Sequence, residues 1–164
     1  MPERFAHLHL HSEYSILKGV GSVADYHAAA REKNVTAIGF TELGNMASAM
    51  ASYLESKDSG VKQIFGIQMP MVKNYDVSQQ EESIVLLAQN KRGLKTLFEL
   101  TKKSWEDGFD KLRQTPRLSY ADLAVCNEGI VCLTGSLSGP VAASAKAGYE
   151  IAQKAVEELK DIFG

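Results

Sequence analysis

The sequence predicts an α/β fold, a parallel sheet built of βα units. Short apolar runs alternate with helical stretches, and residues suited to helix capping (Ser22, Asn90, Ser119) follow several of those runs. The composition, 45% hydrophobic and 23% charged over 164 residues, is that of a soluble globular domain with enough apolar side chain to bury a core.

The elements follow in order. Arg4 to Leu10 alternates, with Ala6, Leu8 and Leu10 on one face and Phe5, His7 and His9 on the other, as a first strand would. Ser22 caps a helix with Asp25 at its third position and Val23, Tyr26 and Ala30 as its apolar stripe, closing at Lys33-Asn34. Thr36 to Phe40 is a second strand, and Ala47 to Leu54 is helical in composition up to Asp58-Ser59-Gly60. Gln63 to Ile67 is a third strand, which Pro70 is expected to blunt. Polar residues 73–82 form a surface connection to a fourth strand, Ile84 to Ala88. Asn90 caps a helix whose Leu94, Leu97, Phe98 and Thr101 are spaced to lie on a sheet. A short helix runs from Ser119 through Ala124, and after Gly129 a fifth strand spans Ile130 to Leu133. Ile151, Ala155, Leu159 and Ile162 stripe a terminal helix. Because the pattern stops right after a helix, residues 1–164 are expected to be a single domain cut short at its C-terminal end.

Charge and cysteine content narrow the function. Eighteen Lys and Arg against twenty Asp and Glu give a net charge of −2 and a pI near 6.1, too little positive charge to hold a polyanion across the whole surface. Neither a membrane span nor a signal-peptide core is visible, so the expected location is cytoplasmic. Cys126 and Cys132 match no zinc or redox spacing and read as ordinary thiols in a reducing compartment.

Three of the four histidines, His7, His9 and His11, occupy alternate positions of the first strand, about 6.5–7 Å apart on one face. They sit at the strand's C-terminal end, where parallel α/β sheets build their sites. That row suits either a shared metal ion or a hydrogen-bonded polar floor. His27, on the first helix, carries no assigned role.

The segment His9-Leu10-His11-Ser12-Glu13-Tyr14-Ser15, followed by Ile16-Leu17-Lys18-Gly19, resembles the opening motif of the polymerase-and-histidinol-phosphatase (PHP) domain at the N-terminus of bacterial replicative DNA polymerase III alpha subunits. Thr41-Glu42-Leu43-Gly44-Asn45-Met46, Ile64-Phe65-Gly66-Ile67-Gln68, Ser83-Ile84-Val85-Leu86-Leu87-Ala88-Gln89-Asn90 and Gly129 to Leu137 continue the resemblance in order and spacing. It implies the first part of a distorted (β/α)7 barrel.

The resemblance also implies a metal cluster in active members, on positions that correspond here to His9, His11, Lys18, Leu43, Gln68, Ser83 and Ser136. Two of the seven keep the family's ligand. Gln68 and Ser136 supply neutral oxygens, Leu43 supplies nothing, and Ser83 replaces an imidazole. A lysine about 4 Å from a unit positive charge costs about 4 kcal/mol at an effective dielectric near 20, and a divalent ion doubles that. No resident cluster is therefore expected. A residual divalent ion, zinc or manganese, would use His7, His9, His11 and Glu42, while the alternative for Glu42 is pairing with Lys18 or with the histidine row.

Residues 91–117 hold eight basic residues against four acids. Lys91, Arg92, Lys95, Lys102 and Lys103 would form either a solvated helix face or a contact surface. By the resemblance, the domain packs against the remainder of an alpha chain and docks a separate 3′–5′ proofreading exonuclease, reaching DNA only through that larger assembly. The polymerase carboxylates lie beyond residue 164 in the family, so this chain alone would not extend a primer. The rival expectation is a residual metal-dependent phosphoesterase that proofreads or hydrolyses pyrophosphate.

Overall fold

The computed structural model describes residues 5–75 and 82–164. In chain order its elements are β1 (His7–Leu10), α1 (Val23–Glu32), β2 (Ala37–Leu43), α2 (Ala49–Ser59), β3 (Lys62–Val72), β4 (Glu82–Ala88), α3 (Lys91–Glu106), β5 (Leu118–Ser119), α4 (Tyr120–Val125), β6 (Ile130–Leu133), α5 (Pro140–Ala145) and α6 (Tyr149–Phe163). One six-stranded sheet runs β1-β2-β3-β4-β6, with β5 added to β3.

The sheet is mixed, which corrects the expected parallel arrangement. β1, β2 and β3 are parallel, but β4 is antiparallel to β3 and β6 is antiparallel to β4. The reason is the connection. A parallel crossover needs a dozen or more residues and usually a helix, whereas Val72 and Glu82 bound a short link that carried no helical pattern. Residues 76–81 of the expected surface connection lie outside the described residues.

β3 also runs through Pro70 instead of stopping before it. Pro70 pairs with Ser83 on the β4 side. On the other side β2 ends opposite Gln68 and β5 begins opposite Met71, so the proline occupies a gap where no donor is required.

Capping follows the sequence. Ser22 with Asp25, and Ser119 with Asp122, form reciprocal capping boxes, and the Asn90 side chain accepts from the amides of Arg92 and Gly93. The face that α3 buries is rotated from the expected one: Gly93, Thr96, Leu97, Leu100 and Ser104 are buried, while Phe98 is 49% exposed. The cause is local. The Thr96 hydroxyl donates to the Glu128 carbonyl at 2.9 Å, and a Cβ at position 93 would lie 1.9 Å from the Gly129 carbonyl oxygen, so the helix seats on the Glu128-Gly129 turn through its smallest residues. In α6, Leu159 is buried but Ile151 is exposed, so the expected stripe covers only the later turns.

Two apolar clusters result. The larger joins β3 and β4 (Ile67, Met69, Met71, Ile84, Leu86) to α3, α4 and α6. The smaller packs α1 on β2 through Val23, Ala30, Ile38 and Phe40. No helix among the described residues is long and apolar enough to cross a membrane.

Candidate functional site

β2 extends three residues past its expected end and carries Thr41, Glu42 and Leu43 to the C-terminal edge of the parallel strands. There it meets the segment that follows β1. Glu42 is 1% exposed, and its carboxylate accepts from the Ser12 amide at 3.2 Å, the Ser12 hydroxyl at 2.5 Å and the Ser15 hydroxyl at very short range. The buried carboxyl group is thus held by hydrogen-bond donors, with no ion pair to it among the described residues. The residue 12–21 turn closes over it, with the Ser15 amide donating to the Ser12 carbonyl and the Glu13 amide to the Gly21 carbonyl. Gly19 makes the closure possible, since a Cβ there would stand 1.8 Å from the Ser12 carbonyl oxygen.

One imidazole is tied to this turn and the other to β2. His11 Nδ1 lies 2.8 Å from Ser15 Oγ, and His9 Nδ1 lies 2.7 Å from Thr41 Oγ1. A hydroxyl has one hydrogen to donate. Ser15 donates its own to Glu42 while accepting from the Leu43 amide, and the Thr41 hydroxyl faces the Leu10 carbonyl. His11 therefore donates from Nδ1, and in its neutral ring Nε2 is left as the acceptor or ligand atom, while the longer Thr41 contact of 3.4 Å leaves the His9–Thr41 bond open to either direction. The rings meet edge to face, 5.0 Å between centroids. Partial burial, and then the neighbouring His11, lower the His9 pKa and favour its neutral form.

His7 is not part of this pair. Between His7, opposite Ile38, and Leu10, opposite Phe40, the register with β2 slips by a residue, and the His7 ring packs against Phe5 at 4.7 Å. Among the described residues no three His, Cys, Asp or Glu side chains converge as a group able to hold an ion. The expected quartet of His7, His9, His11 and Glu42 is thus not assembled. Nor does Glu42 pair with Lys18, which is exposed; the two serines take that place.

The other substituted positions gather across the sheet. Leu43 stands in register with Gln68, and the Gln68 amide donates to the Ser83 hydroxyl at 2.7 Å. The Ser83 amide donates to the Ser138 carbonyl, drawing in the turn that holds exposed Ser136, whose hydroxyl lies 3.4 Å from that of Ser138. These groups satisfy one another. They do not fit the family's multi-ion cluster, because none of them carries the anionic charge such a cluster needs.

Residues 7–164 match the PHP domain family model. The chain belongs to the PHP domain family. This PHP domain is 33% identical over 169 residues to the DNA polymerase III subunit alpha of Borreliella burgdorferi, covering 98% of this chain and 14% of that protein. It is 31% identical to the Campylobacter jejuni subunit, with 98% and 14% covered, and 28% identical to that of Aquifex aeolicus, with 100% and 15% covered. The PHP domain thus spans about a seventh of the length of these relatives. Among solved structures, an amidohydrolase from Chromobacterium violaceum aligns over 95% of this chain and 49% of its own at 15% identity and a TM-score of 0.47. The described sheet and helices form a mixed α/β arrangement.

Ser12, Ser15 and Thr41, which orient the PHP domain's histidines and carboxylate, were given no role by the sequence. Their signal is hydroxyl residues beside the histidine motif and directly before Glu42. The basic segment is partly neutralised: Arg92 pairs with Glu128 at 2.9 Å, Lys103 with Asp107 at 2.9 Å, and Arg113 and Arg117 both with Asp110. Arg117 is buried, so it belongs to the structure of the 108–117 loop and not to a surface.

Proposed function

We propose that this domain serves DNA replication as a structural module of a replicative DNA polymerase III alpha chain in the cytoplasm, docking the separate 3′–5′ proofreading exonuclease without the family's metal cluster. The observation that supports it is the Gln68–Ser83 hydrogen bond: two positions that the resemblance matches to metal ligands satisfy each other across β3 and β4, one strand from a leucine at a third. A bridged multi-ion mechanism needs anions that hold the ions about 4 Å apart and lower the pKa of the attacking water. By the resemblance, Gln68 and Ser136 are neutral residues where such anions would stand.

The experiment combines metal analysis of protein purified with zinc or manganese, a phosphodiester assay, and co-purification with the exonuclease. The expected result is no stoichiometric cluster, no turnover above background, and an exonuclease contact that survives EDTA and His9→Ala. Two or more ions per chain, with turnover abolished by His9→Ala and His11→Ala, would overturn the inactive reading. Loss of the exonuclease contact on EDTA treatment would overturn metal-independent docking.

A second reading rests on the His9–His11 pair, whose rings meet 5.0 Å apart and whose Nδ1 atoms are both engaged, so that Nε2 is the ring atom each can turn to a ligand. In that reading the pair holds one zinc or manganese ion and supports residual phosphoester or pyrophosphate hydrolysis. A single ion bound with turnover would favour it.

A further inference from the structure

The solvent face of α3 carries a pattern that neither the core nor the histidine site uses. Lys91, Lys95, Phe98, Lys102 and Trp105 are spaced four, three, four and three residues apart. At 100° per residue they fall within an arc of about 80°, directly opposite the buried face of Gly93, Thr96, Leu97, Leu100 and Ser104. All five are exposed, with Phe98 at 49% and Trp105 at 50%. Half-exposed aromatic rings opposite a helix's packing face lie outside the core.

The line is built rather than loose. Trp105 Nε1 donates to the Gly44 carbonyl at 2.9 Å, and its ring stacks on Phe109 at 5.2 Å with planes 16° apart, so the indole is held in one orientation with its remaining surface exposed. Among the described residues Lys91 and Lys95 have no carboxylate partner, and Lys102 meets Glu106 only at 3.7 Å with both side chains exposed, a pair of little strength. The line is about 21 Å long, with its two rings about 10.5 Å apart along the axis.

We propose that this face binds single-stranded nucleic acid without sequence preference. Phe98 and Trp105 offer π-faces to bases, and Lys91, Lys95 and Lys102 meet the phosphates between them, the combination of cationic groove and stacking platform that such binding requires. An acidic protein would use the lysines but would leave two exposed rings without a function. A duplex keeps its bases stacked on one another and offers the rings nothing. The line ends at Gly44, next to Leu43, so a strand lying on α3 is led to the rim of the histidine site. The direct contact adds to any that the larger assembly makes, and it does not depend on exonuclease docking.

The chain has one tryptophan, so its emission reports on the proposed platform directly. Titrating the full chain with (dT)12 should give saturable quenching, with log K falling against log salt at a slope of about −2 for three phosphate contacts. Phe98→Ala and the bulkier Phe98→Leu should weaken binding several-fold and keep that slope, while Lys91→Gln, Lys95→Gln and Lys102→Gln together should bring it toward zero. Circular dichroism checks that each variant keeps the wild-type fold. Absence of quenching, unchanged affinity in both Phe98 variants, or equal binding of a duplex or of polyglutamate would overturn the proposal, the last by making the face a site for acidic protein.

Discussion

Ser12 donates to Glu42 twice, through its amide at 3.2 Å and its hydroxyl at 2.5 Å, and so ties the turn after β1 to the end of β2. Hydrogen bonds to a charged group contribute about 1.5–3 kcal/mol, and donors left buried without a partner cost more. Glu42→Ala should therefore destabilise the domain by about 3 kcal/mol, with Glu42→Gln milder because it still accepts from part of the set. Urea denaturation measures both. An alanine variant within about 0.5 kcal/mol of wild type would show that the turn is held by something else.

His27 is 1% exposed, with Nδ1 2.9 Å from the Ser59 hydroxyl and Nε2 making no well-formed hydrogen bond among the described residues. Burial lowers its pKa, outweighing the opposing pull of Glu55 and Gln63. The folded state thus keeps His27 neutral at a pH where the unfolded chain has already bound a proton. Stability is unaffected above the unfolded value near 6.5 and falls as the pH drops below it, by at most about 1.4 kcal/mol per pH unit for one proton. Denaturation midpoints from pH 7.5 to 5 should show this fall for wild type and a shallower one for His27→Gln. An equal fall in both would assign the acid sensitivity to other groups.

Gly93→Ala should cost about 3 kcal/mol, because the added methyl meets the Gly129 carbonyl oxygen, a backbone atom with no rotamer to move aside. The loss would appear in the thermal midpoint. A shift of less than about 2 °C would mean that α3 can slide on its turn.

Leu17 takes φ +64° while its side chain is 97% exposed, so a left-handed backbone is held at a residue that gains no burial. The conformation costs a non-glycine residue about 1–2 kcal/mol, and the added freedom of an unfolded glycine returns about 0.5–1 kcal/mol of that. Leu17→Gly should leave the domain as stable or up to about 1 kcal/mol more so. A clear loss in chemical denaturation would mean that Leu17 makes a contact in solution.

Period and capping carried most of the elements into view. Ser22, Asn90 and Ser119 announce their helices, and the alternation at His9 and His11 announces a shared face. Direction within the sheet is different, because an alternating strand reads the same whether it pairs parallel or antiparallel. Only the missing helix between β3 and β4 told of the reversal. The partners of Glu42 were hidden for another reason: Ser12 and Ser15 lie 30 and 27 residues away in sequence, and only the closure of the turn over β2 brings their hydroxyls to the carboxylate.

β3, eleven residues long, is paired with β2, β4 and β5, and no other strand among the described residues holds three partners. Ile67, Met69 and Met71 along it are fully buried. Its middle, Gly66 to Gln68, is paired with β2 on one side and β4 on the other and is the part most shielded from local opening, whereas β1, paired on one edge, needs a local opening alone. In deuterated water the domain should therefore lose its protons from the rim inward, with the middle of β3 exchanging last.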